Sequence, residues 1–259
     1  MLIPPPWPEP RLSLTANLDY IRAPQCKGRR YVILAPTYRH NSSGIRVLYD
    51  LQKWLVCSGY DAIVVAGLQA DSIGSFDDDI VIYPEVVTGN PLKAKRIVRY
   101  ILNSPGKIGG TKEYDESELL VAYSGTFAMH AKGAIMMVPP VEHYFYSDNT
   151  PKTLTAVYVG KEKDLGKHPA DSIYITRNFP ATRHAVAQFM RSLKTLYTYD
   201  LISAIGHEAM LCGCDVKYID NNGIMVDFPE PLTLQSSLDE FKAELHDFIE
   251  MTQTIWKNS

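Results

Sequence analysis

The stretch 195–216 constrains the fold most, because it holds a short apolar strand, a polar turn, a helix and a second strand within 22 residues. Leu196 to Tyr199 is apolar and aromatic, the composition of a strand covered on both faces. Ser203 is placed to cap a helix, and Gly213 to end it in the left-handed conformation that glycine adopts without steric penalty. Val216 to Ile219 follows at once as the next strand. So short a crossover joins parallel neighbours, and in a parallel sheet ligands bind beyond the carboxyl ends of the strands. Asp200 stands at such an end. Seven residues separate it from Glu208, which puts one carboxylate in the loop before the helix and the other on its second turn, where both can face one cleft.

The same grammar recurs upstream. Tyr31 to Ala35 is a continuous apolar run ended by Pro36, and a polar loop, 37–44, leads into a helix carrying Ile45, Leu48, Leu51, Leu55 and Val56 on one face. Gly59 stops that helix, and Ala62 to Ala66 supplies the next strand. The loop lacks both the G-x-G-x-x-G fingerprint of dinucleotide binding and the Lys-Ser/Thr ending of a P-loop. Ile80 to Tyr83 reads as a further strand, with Glu85 just beyond its carboxyl end, either facing the cleft or solvated in a loop. Pro91 then suits the first turn of a helix with Ala94, Ile97, Val98 and Ile101 inward. Leu119 to Tyr123 and Ala134 to Val138 complete a first domain of about five strands. Pro139, Pro140 and the polar, aromatic stretch to Thr150 read as a hinge.

A second domain opens with a strand from Thr155 to Gly160 and a basic loop, Lys161 to Lys167. Ile173 to Thr176 is its next strand, and Pro180 starts a helix with Val186, Phe189, Met190 and Leu193 inward. Asp220-Asn-Asn-Gly223 is a turn. Leu238, Phe241, Leu245, Phe248 and Ile255 line one face of a C-terminal helix. The expected division is therefore a Pro-rich arm over 1–30 with Trp7 as its anchor, a domain over 31–145, a second over 146–235, and a helix over 236–259.

Composition narrows the function classes. Apolar content of 46% and charged content of 21% are those of an ordinary globular protein. No apolar run is long enough to span a membrane, and five prolines in the first ten residues do not make a secretory leader, so a cytoplasmic location is expected. Cys26, Cys57, Cys212 and Cys214 lack zinc-site spacing, and Cys-Gly-Cys reads as packing at a helix end. Asp77-Asp78-Asp79 precedes a strand rather than following one, which argues against a D-x-D metal site.

Asp200-x7-Glu208, followed by Ala209-Met210 and Cys212-Gly213-Cys214, resembles the E-x7-E region of retaining, nucleotide-sugar-dependent glycosyltransferases of the GT-B fold. The string Tyr83-Pro-Glu-Val, Gly89-Asn-Pro-Leu and Val98-Arg-Tyr-Ile-Leu-Asn-Ser-Pro-Gly106 is similar to one found in bacterial surface-polysaccharide glycosyltransferases. The resemblance covers about residues 31–228 and implies an α/β protein of two Rossmann-like domains facing across a cleft. The implied reaction moves a sugar from a nucleotide-diphosphate donor to an acceptor hydroxyl with retention, without metal or cofactor. By position, Asp200 would contact the donor sugar and Glu208 the nucleotide ribose. Asp200 departs from the family's Glu by one methylene and is equally well suited to capping a helix.

Further roles follow from the resemblance. Ser42, Ser43 and Gly44 correspond to the family's Gly-containing loop near the donor phosphates, a place where ordinary turn chemistry explains them equally. Lys161 corresponds to a diphosphate-holding cation, with Lys163 or Lys167 as a second. The helix beginning near Ser203 would offer its N-terminus to the same anion, His130 would reach the cleft from the first domain, and the C-terminal helix would cross back onto that domain. The acceptor stays open between a saccharide or glycoconjugate and, as in small phage enzymes, a hydroxymethylated DNA base that Lys93, Lys95, Arg96 and Arg99 would help to hold. The balance of 29 acidic against 26 basic residues favours the saccharide. A nucleotide-sugar-binding protein without turnover is a third reading.

Overall fold

The computed structural model describes residues 26–66, 75–132, 134–138, 144–229 and 234–256. The greater part of the Pro-rich arm, with Trp7, and Pro139 and Pro140 of the hinge lie outside them. The chain is α/β and forms two mainly parallel sheets, an arrangement compatible with two Rossmann-like domains.

The first sheet contains β1 (Lys27–Ala35), β2 (Tyr60–Ala66), β3 (Ile80–Pro84), β4 (Arg96–Ile101), β5 (Leu119–Ala122) and β6 (Ala134–Ile135), in the order β2-β1-β3-β4-β5-β6. All of its pairings are parallel. The second contains β7 (Leu154–Tyr158), β8 (Ile173–Tyr174), β9 (Leu193–Thr198), β10 (Asp215–Ile219) and β11 (Met225–Asp227), in the order β11-β10-β9-β7-β8. Only β11 there runs antiparallel to its neighbour, through the turn at 220–223. In each sheet the first strand lies between the second and the third. Strand order therefore reverses between β1 and β3 and again between β7 and β9, and such reversals open a crevice at the carboxyl ends.

Alternation along β1 divides the first domain's core. Tyr31, Ile33 and Ala35 face one side, packed against Leu48, Leu51 and Leu55 of α1 (Ser43–Cys57). On the same side lie Phe241, Leu245, Phe248 and Ile249 of α4 (Leu234–Thr254), so the C-terminal helix forms part of the first domain's core. Buried Tyr31 donates to or accepts from Thr252 Oγ1 at 2.8 Å, and Gln253 is bonded to the backbone of Arg29. Val56 and Ile255, expected on inward faces, are both exposed. Val32 and Leu34 face the other side, where Phe76, Tyr83 and Leu92 cover them from strands and loops.

Residues 96–101 are a strand where a helix was expected, and all six are buried. Ala94, Ile97, Val98 and Ile101 fit helical spacing, but a strand covered on both faces produces the same apolar run. Arg99 is fully buried in it. Its guanidinium forms a two-bond pair with Glu118 and donates to the carbonyls of Val87 and Gly89, so its charge is satisfied inside the sheet. Arg96 is buried too, bonded to the Asp77 carbonyl, and Lys95 pairs with Asp77 at 3.4 Å. A solvated basic helix face at 93–99 is therefore absent. Leu193, expected on a helix, begins β9, and the strand expected over 134–138 is confined to Ala134–Ile135.

The second domain's core joins Ala156, Leu196 and Val216 to α2 (Arg183–Arg191) and α3 (Ala204–Leu211). Thr182 caps α2 and Ser203 caps α3 through their hydroxyls, and Gly213 follows α3 with φ +75°. Cys212 and Cys214 are buried beside it, and burial pushes their thiols up to about 11 and about 12. No helix among the described residues is long and apolar enough to cross a membrane.

Candidate functional site

The carboxyl ends of the two sheets meet. The loop after β1 reaches the loop after β8, where Asn41 donates to the Arg177 carbonyl at 2.8 Å. The loop after β4 reaches the loop after β7, where Lys107 pairs with Glu162 at 2.8 Å. Beside the first of these contacts, with Asn41 and Arg177 in its wall, lies a cavity of about 70 Å³ lined from both domains.

Its walls mix apolar side chains, among them Ile175, Pro180, Val186 and Ile205, with basic and polar ones. The first domain contributes His40, Ser43 and Arg46, and the second contributes Arg177, Arg183, Ser203 and Glu208. Ser43 and Arg46 lie in the first turn of α1, Arg183 opens α2, and Ser203 caps α3. Helix N-termini carry unpaired N–H groups and partial positive charge, so a cation there is unfavourably placed unless an anion answers it. Glu208 provides one answer. It is 1% exposed, takes two bonds from Arg183 at 2.5 and 3.0 Å, and takes a third from Arg46 of the opposite domain at 3.1 Å. Arg183 also lies over the Phe145 ring at 4.6 Å, which fixes the plane of its guanidinium. Tyr158, at the end of β7, lines the same cavity; burial pushes its phenol above the ordinary value, opposed by a bond with Ser203.

Asp200 is close by but turned to other work. Its Oδ1 accepts from the backbone N–H groups of Ile202 and Ser203, both at 3.1 Å, and holds the turn that launches α3. Its Oδ2 lies 3.4 Å from the Lys161 backbone nitrogen. Gly160 sits against this carboxylate with φ +67°, and a Cβ there would overlap it, so the close approach requires glycine. Asp200 is buried and does not line the cavity, whereas Glu208, eight positions on, does.

The other expected residues divide in the same way. Ser43 and Ser203 line the cavity, while Ser42 and Gly44 flank Ser43 at the start of α1 without lining it. Ser42 is the N-cap of α1, although its side chain makes no capping bond. Lys161 is exposed on the loop after β7, and Lys167 donates its backbone N–H to the Tyr199 hydroxyl. Neither lines the cavity. Glu85 is 2% exposed; its Oε2 accepts from Leu102 N–H at 3.0 Å, and burial pushes its carboxyl above the usual range. His130 ends the 3₁₀ turn Gly125–His130 and lies apart from the cavity wall.

Sequence reading missed Arg46, Arg177, Arg183 and His40. The available signal was electrostatic: Arg46 and Arg183 occupy helix first turns, where the dipole opposes a cation. No group of three or more His, Cys, Asp and Glu among the described residues is placed to hold a metal ion. Asp79 of the acidic run forms a two-bond pair with Arg30, and Asp77 is bonded near Ser75 and Lys95. No protein-family model matches the sequence, and no curated protein matches it either.

Proposed function

We propose that the chain is a GT-B glycosyltransferase that binds a nucleotide-diphosphate sugar between its two domains and transfers the sugar, with retention, to an acceptor hydroxyl. The observation that carries this reading is the convergence of Arg46, Arg177 and Arg183 with the starts of α1 and α3 on one interdomain cavity. Guanidinium groups match phosphate oxygens in pairs, and helix N-termini add N–H donors, so the place suits a diphosphate. When the sugar–phosphate bond breaks, charge grows on the departing diphosphate, and fixed donors aimed at it lower the barrier. The resemblance assigns Glu208 to the ribose and Lys161 to the diphosphate. A saccharide or glycoconjugate is the favoured acceptor, because burial of Arg96 and Arg99 removes the basic face that a DNA acceptor would use.

A second reading is binding without turnover. It is favoured by Asp200, whose carboxylate holds the backbone of 202–203 in place of a sugar. Incubating the full chain with a panel of nucleotide sugars, and following donor hydrolysis together with nucleoside-diphosphate binding, separates the two. Hydrolysis or transfer supports the enzyme; binding with no turnover of any donor supports the second reading; neither binding nor turnover contradicts both.

A further inference from the structure

We propose that Arg46, Glu208 and Arg183 form a latch that holds the two domains closed, and that a phosphate-bearing ligand opens it by taking the two arginines from Glu208. This rests on the reading of the cleft as a phosphate site. The three side chains are 8%, 1% and 9% exposed, and they come from both sides of the cleft. Arg46 is the member supplied by the first domain, and its Nη2 shares the carboxylate oxygen Oε1 with Nη2 of Arg183. A carboxylate that accepts three guanidinium bonds in a buried setting is poorly placed to receive a ribose hydroxyl as well. The ties at Asn41–Arg177 and Lys107–Glu162 also cross the cleft, but both are exposed and screened by water.

The cavity beside the triad holds about 70 Å³, far below the several hundred Å³ that a drug-sized ligand fills. A nucleotide sugar therefore overfills this cavity, and the buried contact beside it is the one that must yield to admit the diphosphate. A diphosphate offers the arginines the same paired oxygens that Glu208 offers, with more charge. Once the arginines turn to phosphate, the Glu208 carboxylate is uncovered in the same cleft. Closure in the absence of ligand and exposure of Glu208 on binding are thus one exchange of partners, and apparent affinity is reduced by the fraction of protein that is latched.

The test uses the full chain, inorganic pyrophosphate and uridine diphosphate, with calorimetry and small-angle scattering. Glu208→Gln weakens the latch and leaves both arginines in place. It is expected to bind pyrophosphate about tenfold more tightly than the wild type, the size expected if roughly nine-tenths of the wild type is latched. Uridine diphosphate should gain less than pyrophosphate, since the ribose contact is weakened at the same time. The wild type should expand when pyrophosphate is added, and Glu208→Gln should already be expanded without it. Equal or weaker pyrophosphate binding by a folded Glu208→Gln overturns the latch and leaves the phosphate reading intact. Failure of the wild type and Glu208→Gln to bind either probe overturns the phosphate reading and ligand-driven release with it. Should Glu208→Gln not fold, Arg46→Met removes the cross-domain bond to Glu208 and leaves the Arg183–Glu208 pair, and an unchanged radius of gyration without ligand overturns closure by the triad.

Discussion

The two domains share a strand order but not a way of covering their sheets. In the second, α2 and α3 arise within the unit they cover, between β8 and β9 and between β9 and β10. In the first, no α-helix intervenes between β3 and β6 among the described residues, and α4, from beyond the second sheet, completes the cover on the face that α1 packs against. The first domain therefore depends on sequence-distant contacts for its core, while the second is locally complete. The difference predicts that the first is sensitive to the C-terminus and the second to its own tight approaches.

The largest effect is expected from ending the chain before Leu234. Phe241, Leu245, Phe248 and Ile249 would leave the core, and at about 1.5–3 kcal/mol each their loss rivals the whole stability of a typical domain. Hydrogen exchange should show β1 to β5 losing protection while β7, β9 and β10 keep theirs. Equal protection of both sheets in the truncated chain would break the comparison.

A smaller effect, confined to the second domain, is expected from Gly206→Ala. A Cβ at 206 would overlap the Phe228 ring, which is itself buried in the second core. Overpacking of this kind costs about 1–3 kcal/mol. Denaturant unfolding followed by exchange should place that loss in α3, β10 and their neighbours, with the first sheet unaffected. A loss spread evenly over both sheets would show the domains to be one cooperative unit.

The smallest effect is a pH dependence of the second domain. Burial holds the His207 imidazole below its ordinary value of 6.5, and its ring packs edge-on to Phe228 at 5.1 Å. The unfolded chain therefore binds a proton that the folded one resists. The stabilising difference is complete above about pH 6.5 and is lost as pH falls towards the lower folded value. The melting temperature should fall between pH 7 and 5.5 more steeply in the wild type than in His207→Phe. Identical slopes would remove this contribution.

The two strand–helix–strand units were legible because each sets an apolar strand run before a helix that a glycine ends, Gly59 after α1 and Gly213 after α3. Tyr31–Ala35 with α1, and 195–216 with Ser203 and Gly213, carry those signals locally. β4 was not legible, since burial of both faces removes the alternation that marks a strand. The full burial of Arg99 depends on Glu118, 19 residues away. At the site, the position of Glu208 could be read from its spacing, but its partners could not. Arg183 lies 25 residues away and Arg46 lies 162 away, and only the meeting of two domains brings them together. Asp200 stands just beyond the carboxyl end of β9, and its carboxylate is taken up by the N–H groups of Ile202 and Ser203 in the turn before α3.

The claim that two domains share one diphosphate site is tested most directly by calorimetric titration of uridine, guanosine and adenosine diphosphates into the wild type and Arg183→Met. Charged hydrogen bonds to a guanidinium contribute about 1.5–3 kcal/mol. At least one nucleotide should therefore bind the wild type and lose about tenfold or more in affinity in a folded Arg183→Met. Failure of all three to bind the wild type, or equal binding by the variant, would contradict the account.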